Sequence, residues 1–189
     1  MNITPEEAQS ALDAIKQAKT QACTMVYMWA YYWLLWGTVW TIGFLLTQFE
    51  PQLLVWIWST MVIIGMAGSA IIGIRQGSSM RSTPGSQNAF LGERYGIFNG
   101  VLYGFVILWW IIFLPTPSQV GMLWITAFTF SAIIAGVWFK IPVCIELGVG
   151  MTLMSVLGYY VFPHYFWLWA AVFAGLPLIG MGVYYLRQK

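Results

Sequence analysis

Apolar residues in this chain come in long unbroken runs, not in strict alternation and not along a single helical stripe. The runs cover about 25–47, 52–74, 96–114, 119–139, 142–162 and 164–186. A helix rises about 1.5 Å per residue, so ~20 residues cross ~30 Å of hydrocarbon. Each run reaches that length, and the pattern predicts six transmembrane helices. A membrane barrel would instead show alternating strands of ~10 residues, and none is visible. The expected fold is all-α, a polytopic membrane helix bundle over 25–189.

Residues 1–24 follow a different pattern. Thr4 is a good N-cap, Pro5 suits the first helical position, and Glu7 completes a Thr-x-x-Glu capping box. Ala8, Ala11, Leu12, Ile15, Ala18 and Ala22 recur at three- and four-residue steps. An amphipathic cytoplasmic helix over 4–20 is expected, lying on its own protein or at the lipid surface. The alternative is a docking helix for a cytoplasmic protein partner or a second copy. The opening residues lack a basic segment followed by an apolar stretch, so a cleavable signal peptide is not expected.

The connections set the orientation. Three of them are tight and carry proline: Gln48-Phe49-Glu50-Pro51, Pro115-Thr116-Pro117-Ser118 and Phe162-Pro163-His164. The Gly-, Ser- and Pro-rich stretch 75–95 reads as a flexible cytoplasmic loop. Lys16, Lys19, Arg75, Arg81, Arg94, Lys140, Arg187 and Lys189 all fall on the side opposite the proline turns. Positive-inside bias puts that side, and both termini, in the cytoplasm. The expected location is the plasma (inner) membrane.

Composition agrees with this. Hydrophobic residues make up 60 % of the 189 and charged residues 7 %, against about 25 % charged in a soluble domain. Lipid is the expected surrounding. The net charge of +2 gives no reason to expect a nucleic-acid partner.

The proline turns also suggest a repeat. From Pro51 to Arg75 is 24 residues, from Pro115 to Lys140 is 25, and from Pro163 to Arg187 is 24. Gly37, Gly100 and Gly150 precede the three prolines at similar distances. Three helical hairpins about a pseudo-axis would give this spacing. Membrane thickness alone would give it too.

Small residues at four-residue steps let helix backbones approach closely. Gly96, Gly100 and Gly104 form one such stripe, and Gly65, Ser69 and Gly73 another. Both read as packing within the chain, or else as a homo-oligomer contact. Trp56, Trp58, Trp109, Trp110, Trp124, Trp167 and Trp169 map to the outer halves of their helices. They read as an interfacial belt, or alternatively as a vestibule that holds a cation over ring faces.

Groups able to do chemistry are few. His164 is the only histidine, and with Glu50 it supplies two metal ligands where three or four are usual. No metal or other cofactor is expected. Cys23 and Cys144 have no histidine on their side to activate them. No phosphate loop and no Gly-x-Ser-x-Gly occurs, and catalytic residues are not expected. Glu146 lies about one turn inside the fifth run, and an ionisable group in a span is a functional candidate by default. With Asn99, Glu93, Arg94 and Thr152 it forms a candidate polar path, provided the third and fifth helices are neighbours.

Thr4-Pro5-Glu6-Glu7, Trp36-Gly37-x-x-Trp40 and the terminal Tyr185-Leu186-Arg187 resemble small uncharacterised six-helix bacterial inner-membrane proteins, a resemblance that implies no activity. The three-hairpin layout is similar in architecture to the urea/amide channel family, though no motif is shared and the cytoplasmic N-terminal helix departs from that pattern. A small-solute channel or transporter is the first functional expectation. A non-catalytic accessory, signalling or scaffold subunit is the second. Single cysteines placed within 76–92 are expected to react with an impermeant thiol reagent only from the cytoplasmic face; labelling of intact cells would reverse the orientation.

Overall fold

The computed structural model describes residues 29–80 and 87–187, plus the isolated Gln9, with side chains from 76 to 92 left aside. The predicted helix over 4–20, Cys23 and the segment 81–86 lie outside the described residues. All described elements are helical. We label them α1 (29–49), α2 (Leu54–Met80), α3 (Gln87–Phe113), α4 (Pro117–Phe139), α5 (Pro142–Val161) and α6 (Pro163–Arg187).

Five of these, α2 to α6, contain stretches long and apolar enough to cross a membrane. Over its described residues, 29–49, α1 is not among them. Its tryptophans, tyrosines and threonines lower its mean hydropathy. One sequence expectation is corrected between α2 and α3. The loop expected over 75–95 narrows, because α2 continues to Met80 and α3 already begins at Gln87. Gly77 and the serines beside it lie inside α2 without breaking it, since helix propensity differences of ~1 kcal/mol or less are easily overridden.

Each boundary has a local cause. Pro51 and Pro163 open single 3-10 turns, Pro51–Leu53 and Pro163–Tyr165. Their fixed φ and missing N–H suit a first helical turn. Pro117 opens α4 in the same way, and the Thr116 N–H donates to Gln119 Oε1 at 2.9 Å. α4 stops at Lys140, which is left-handed at φ 57°. The Ile141 N–H then donates to Gly136 O at 2.8 Å, closing a reverse turn into Pro142. Inside α6, Ala171–Gly175 widens to a π turn, and the Leu176 N–H reaches back to Ala171 O. Pro177 explains it: without an N–H it cannot continue the ordinary ladder, and the ring needs the extra room.

The core sits where α1, α4, α5 and α6 meet. Trp33, Trp40, Phe44, Ile125, Met151, Phe166 and Leu178 are buried there. α1 and α6 run antiparallel at very close range. A Cβ on Gly37 would stand 2.7 Å from Ile179 N. One on Gly175 would collide with Thr41, and one on Gly182 would lie 2.9 Å from Ala30 O. At the C-terminal end of α1, Gln48 ties the same two helices together. Its Nε2 donates to His164 O at 3.0 Å, and its Oε1 accepts from Leu168 N–H at 3.2 Å. α4 and α5 pack equally closely, with Gly148 against Thr129 O and Gly136 against Ile145.

The six helices are unequal. Of the spans, 44 % of α4 and α6 is buried, 28 % of α5, but only 11 % of α2 and 6 % of α3. α1 touches α2, α3, α4 and α6 through Trp36, Trp29, Trp33 and Gly37 respectively. Three equivalent hairpins about an axis would place α1, α3 and α5 alike; here α1 is central and α3 peripheral.

The glycines divide accordingly. Gly65, Ser69 and Gly73 do pack within the chain, against Trp36 and Tyr32. Gly96, Gly100 and Gly104 have nothing within 4 Å among the described residues. α3 reaches α4 through large side chains from another face, so among the described residues its small-residue stripe packs on no other helix of the chain. Gly37→Ala and Gly175→Ala are predicted to lower stability in micelles by ~1–3 kcal/mol through overpacking. Gly100→Ala and Gly104→Ala, measured by the same thermal unfolding, should be neutral or slightly stabilising, since Ala is the better helix former.

Candidate functional site

Helical periodicity brings one group of aromatic rings together. Trp29, Tyr32, Trp33 and Trp36 lie at i, i+3, i+4 and i+7 and share a face of α1. That face lines a cleft of about 320 Å³. α3 contributes Tyr95, Asn99 and Tyr103 at four-residue steps, and α4 contributes Phe128, Ser131 and Ala132. The cleft therefore lies between the α1–α2 hairpin and the α3–α4 hairpin.

Its walls are held by ring contacts and two interhelical hydrogen bonds. Trp29 stacks on Tyr95 at 5.7 Å, and Trp33 meets Phe128 edge-on at 6.0 Å. Tyr103 stacks on Trp124 at 5.6 Å. The Trp36 indole Nε1–H donates to Ser69 Oγ at 3.1 Å, and the Tyr32 hydroxyl donates to Ser69 O at 3.4 Å. Small residues on α2 thus seat two of the rings that form the cleft.

A polar chain crosses from α3 to α4. Asn99 Nδ2 donates to Tyr95 O at 2.8 Å. Ser131 Oγ donates to Asn99 Oδ1 at 2.6 Å. The Tyr95 hydroxyl lies 2.7 Å from Ser131 Oγ. These are the polar groups that converge on an otherwise aromatic cleft, the arrangement that most often marks a small-molecule site.

The sequence-predicted path is only partly assembled. Asn99 belongs to the cleft. Thr152 is bonded instead to Thr129 Oγ1 at 2.7 Å, between α4 and α5. Thr129 and Ser131 are two residues apart, about 200° around a helix, so Asn99 and Thr152 meet opposite sides of α4. Glu146 is exposed on α5, about 200° from the buried Cys144 and Gly148. Glu93 and Arg94 are exposed near the start of α3. α4 stands between α3 and α5, packing against each, and the five residues do not line one route. Their polarity was legible in the sequence; which sides of α4 they would occupy was not.

Other candidates resolve differently. His164 is exposed, and its carbonyl serves Gln48. Cys144 is buried at 2 % exposure. No group of three or more metal-ligating side chains occurs among the described residues. Of the tryptophans read as an interfacial belt, Trp56, Trp109 and Trp110 are exposed. Trp167 instead packs on Gly121 and Phe44, and Trp169 fills the space beside Gly158 and donates to Met154 O at 2.7 Å. The rings of the cleft lie on the N-terminal half of α1 as described, a group outside the sequence expectations; the signal was the 29/32/33/36 spacing.

Comparison with protein families, curated proteins and solved structures finds no match. The resemblances drawn from the sequence therefore rest on the residues quoted for them. Replacing Ser131 with Ala removes the shared partner of Asn99 and Tyr95. A double-mutant cycle with Asn99→Ala, read by unfolding in micelles, should give a coupling of ~1 kcal/mol, within the range for polar pairs between membrane helices.

Proposed function

We propose that the protein is a non-enzymatic, six-span protein of the plasma (inner) membrane, with cytoplasmic termini, that binds and transports a small solute through the cleft of α1, α3 and α4. The observation that carries this reading is the convergence of Tyr95, Asn99 and Ser131 in a cleft otherwise walled by rings. α1 counts as the sixth span in this reading. Its low hydropathy suits a helix surrounded by other helices, where rings and threonines face protein rather than lipid. The bilayer is the obligatory partner, and no cofactor is invoked.

A second reading is favoured by one separate observation. α2 and α3 leave most of their surface uncovered, including the Gly96, Gly100 and Gly104 stripe. An accessory or scaffold subunit would use such faces against a second copy or another membrane protein, with residues 4–20 docking a cytoplasmic partner. Proteins that co-purify equally with and without residues 1–20 would count against that docking role.

For the transport reading, uptake into proteoliposomes is the direct measurement. Entry of at least one member of a panel of small amphiphilic solutes should exceed that into empty vesicles and should fall on Trp33→Ala. Uptake indistinguishable from empty vesicles across the panel would remove transport as the function.

A further inference from the structure

We infer that the cleft takes an uncharged, ring-bearing small molecule that donates a hydrogen bond, from a hydroxyl or an N–H, to the Tyr95–Asn99–Ser131 chain. The inference rests on the reading of the cleft as a binding site and adds the chemical class of its occupant.

The direction of every proton in the chain is fixed. A backbone carbonyl only accepts, so the Asn99 atom 2.8 Å from Tyr95 O is the amide nitrogen. The other terminal atom is then Oδ1, which only accepts. Ser131 Oγ, 2.6 Å away, must donate to it. A serine hydroxyl has one proton, so the 2.7 Å contact between Ser131 Oγ and the Tyr95 hydroxyl is made by the tyrosine proton. The opposite assignment would set two lone pairs against each other at one of these contacts.

What the chain still offers follows from that count. Tyr95 Oη has committed its proton and keeps its lone pairs. Ser131 Oγ and Asn99 Oδ1 each keep one acceptor position. Against these stands a single free N–H on Asn99 Nδ2. The chain is therefore rich in acceptors and poor in donors, and a ligand group that meets it complements it best by donating; the other donors of the lining, the Trp29 and Trp33 indole N–H groups and the Tyr103 hydroxyl, are not part of the chain.

Charge and shape narrow the class further. None of the ten lining side chains is a carboxylate or a basic group. An ion of either sign would enter without a counter-charge; ring faces attract a cation, but by less than desolvating an ion costs. Tryptophan, tyrosine and phenylalanine rings favour a flat apolar body by stacking or edge contacts. The volume of about 320 Å³ is at the small end of the ~300–1,000 Å³ of ligand pockets, suited to one or two fused rings.

Full-length protein in lipid nanodiscs can be dialysed to equilibrium against four probes: naphthol, methylnaphthalene, naphthoate and naphthyl-trimethylammonium. Matched empty nanodiscs correct for partition into lipid. Naphthol should bind about tenfold more tightly than methylnaphthalene, the effect of one hydrogen bond. Tyr95→Phe keeps the ring and should lower that preference, since acceptors remain on Ser131 and Asn99, while leaving methylnaphthalene unchanged. If that variant does not fold, the naphthol-to-methylnaphthalene ratio of the unaltered protein decides. Equal binding of the two would overturn the donor requirement while leaving the cleft a binding site. Preference for the ammonium or the carboxylate would overturn the neutral class. Failure of all four to exceed empty nanodiscs would overturn the cleft reading itself, and this inference with it.

Discussion

Close approach between α1 and α6 is the contact on which the other helices are arranged. Helices bathed in lipid gain little from hydrophobic burial against one another, so shape and hydrogen bonding must hold them together. Gly37, Gly175 and Gly182 supply the shape, bringing backbone to backbone where any Cβ would meet the facing helix. Gln48 adds a two-sided hydrogen bond at the C-terminal end of α1 in the same pair. The π turn at Ala171–Gly175, forced by Pro177, falls within this contact and includes Gly175 itself. With α1 fixed in the centre, its aromatic faces are available to α2, α3 and α4 on its other sides.

The cleft is a consequence of that placement. One face of α1 carries rings too large to allow α3 the approach that α6 has. α3 stays at the edge, joined to α4 by Tyr95, Asn99 and Tyr103 and their partners. The space left over is walled by the same rings that caused it. Ser69 and its neighbouring glycines on α2 complete the arrangement by giving Trp36 and Tyr32 room and acceptors. Packing and the candidate site are thus the same set of side chains, so variants of the cleft should be read for stability before they are read for binding.

Much of the architecture was legible in the run lengths and in the prolines. Pro51, Pro117, Pro142 and Pro163 each stand at the start of a helical element, because a residue without an N–H loses nothing there. The Gly65, Ser69 and Gly73 stripe was legible as packing within the chain. The stripe on α3 has the same spacing and the opposite outcome, since four-residue spacing says that a helix can be approached and not that it is.

The sequence by itself determined the runs that become helices, the proline starts and the scarcity of groups able to do chemistry, because these depend on local spacing and on residue type. Only the tertiary structure decided which helix is central, that Asn99 and Thr152 face opposite sides of α4, and that Glu146 stands outside. Those are rotations and neighbour choices. A shift of two residues turns a side chain by about 200°, and no local pattern specifies which neighbour it then meets. The 29/32/33/36 face of α1 belongs to both levels: its spacing is written in the chain, but its meaning as a cleft wall depends on α3 and α4 standing opposite it.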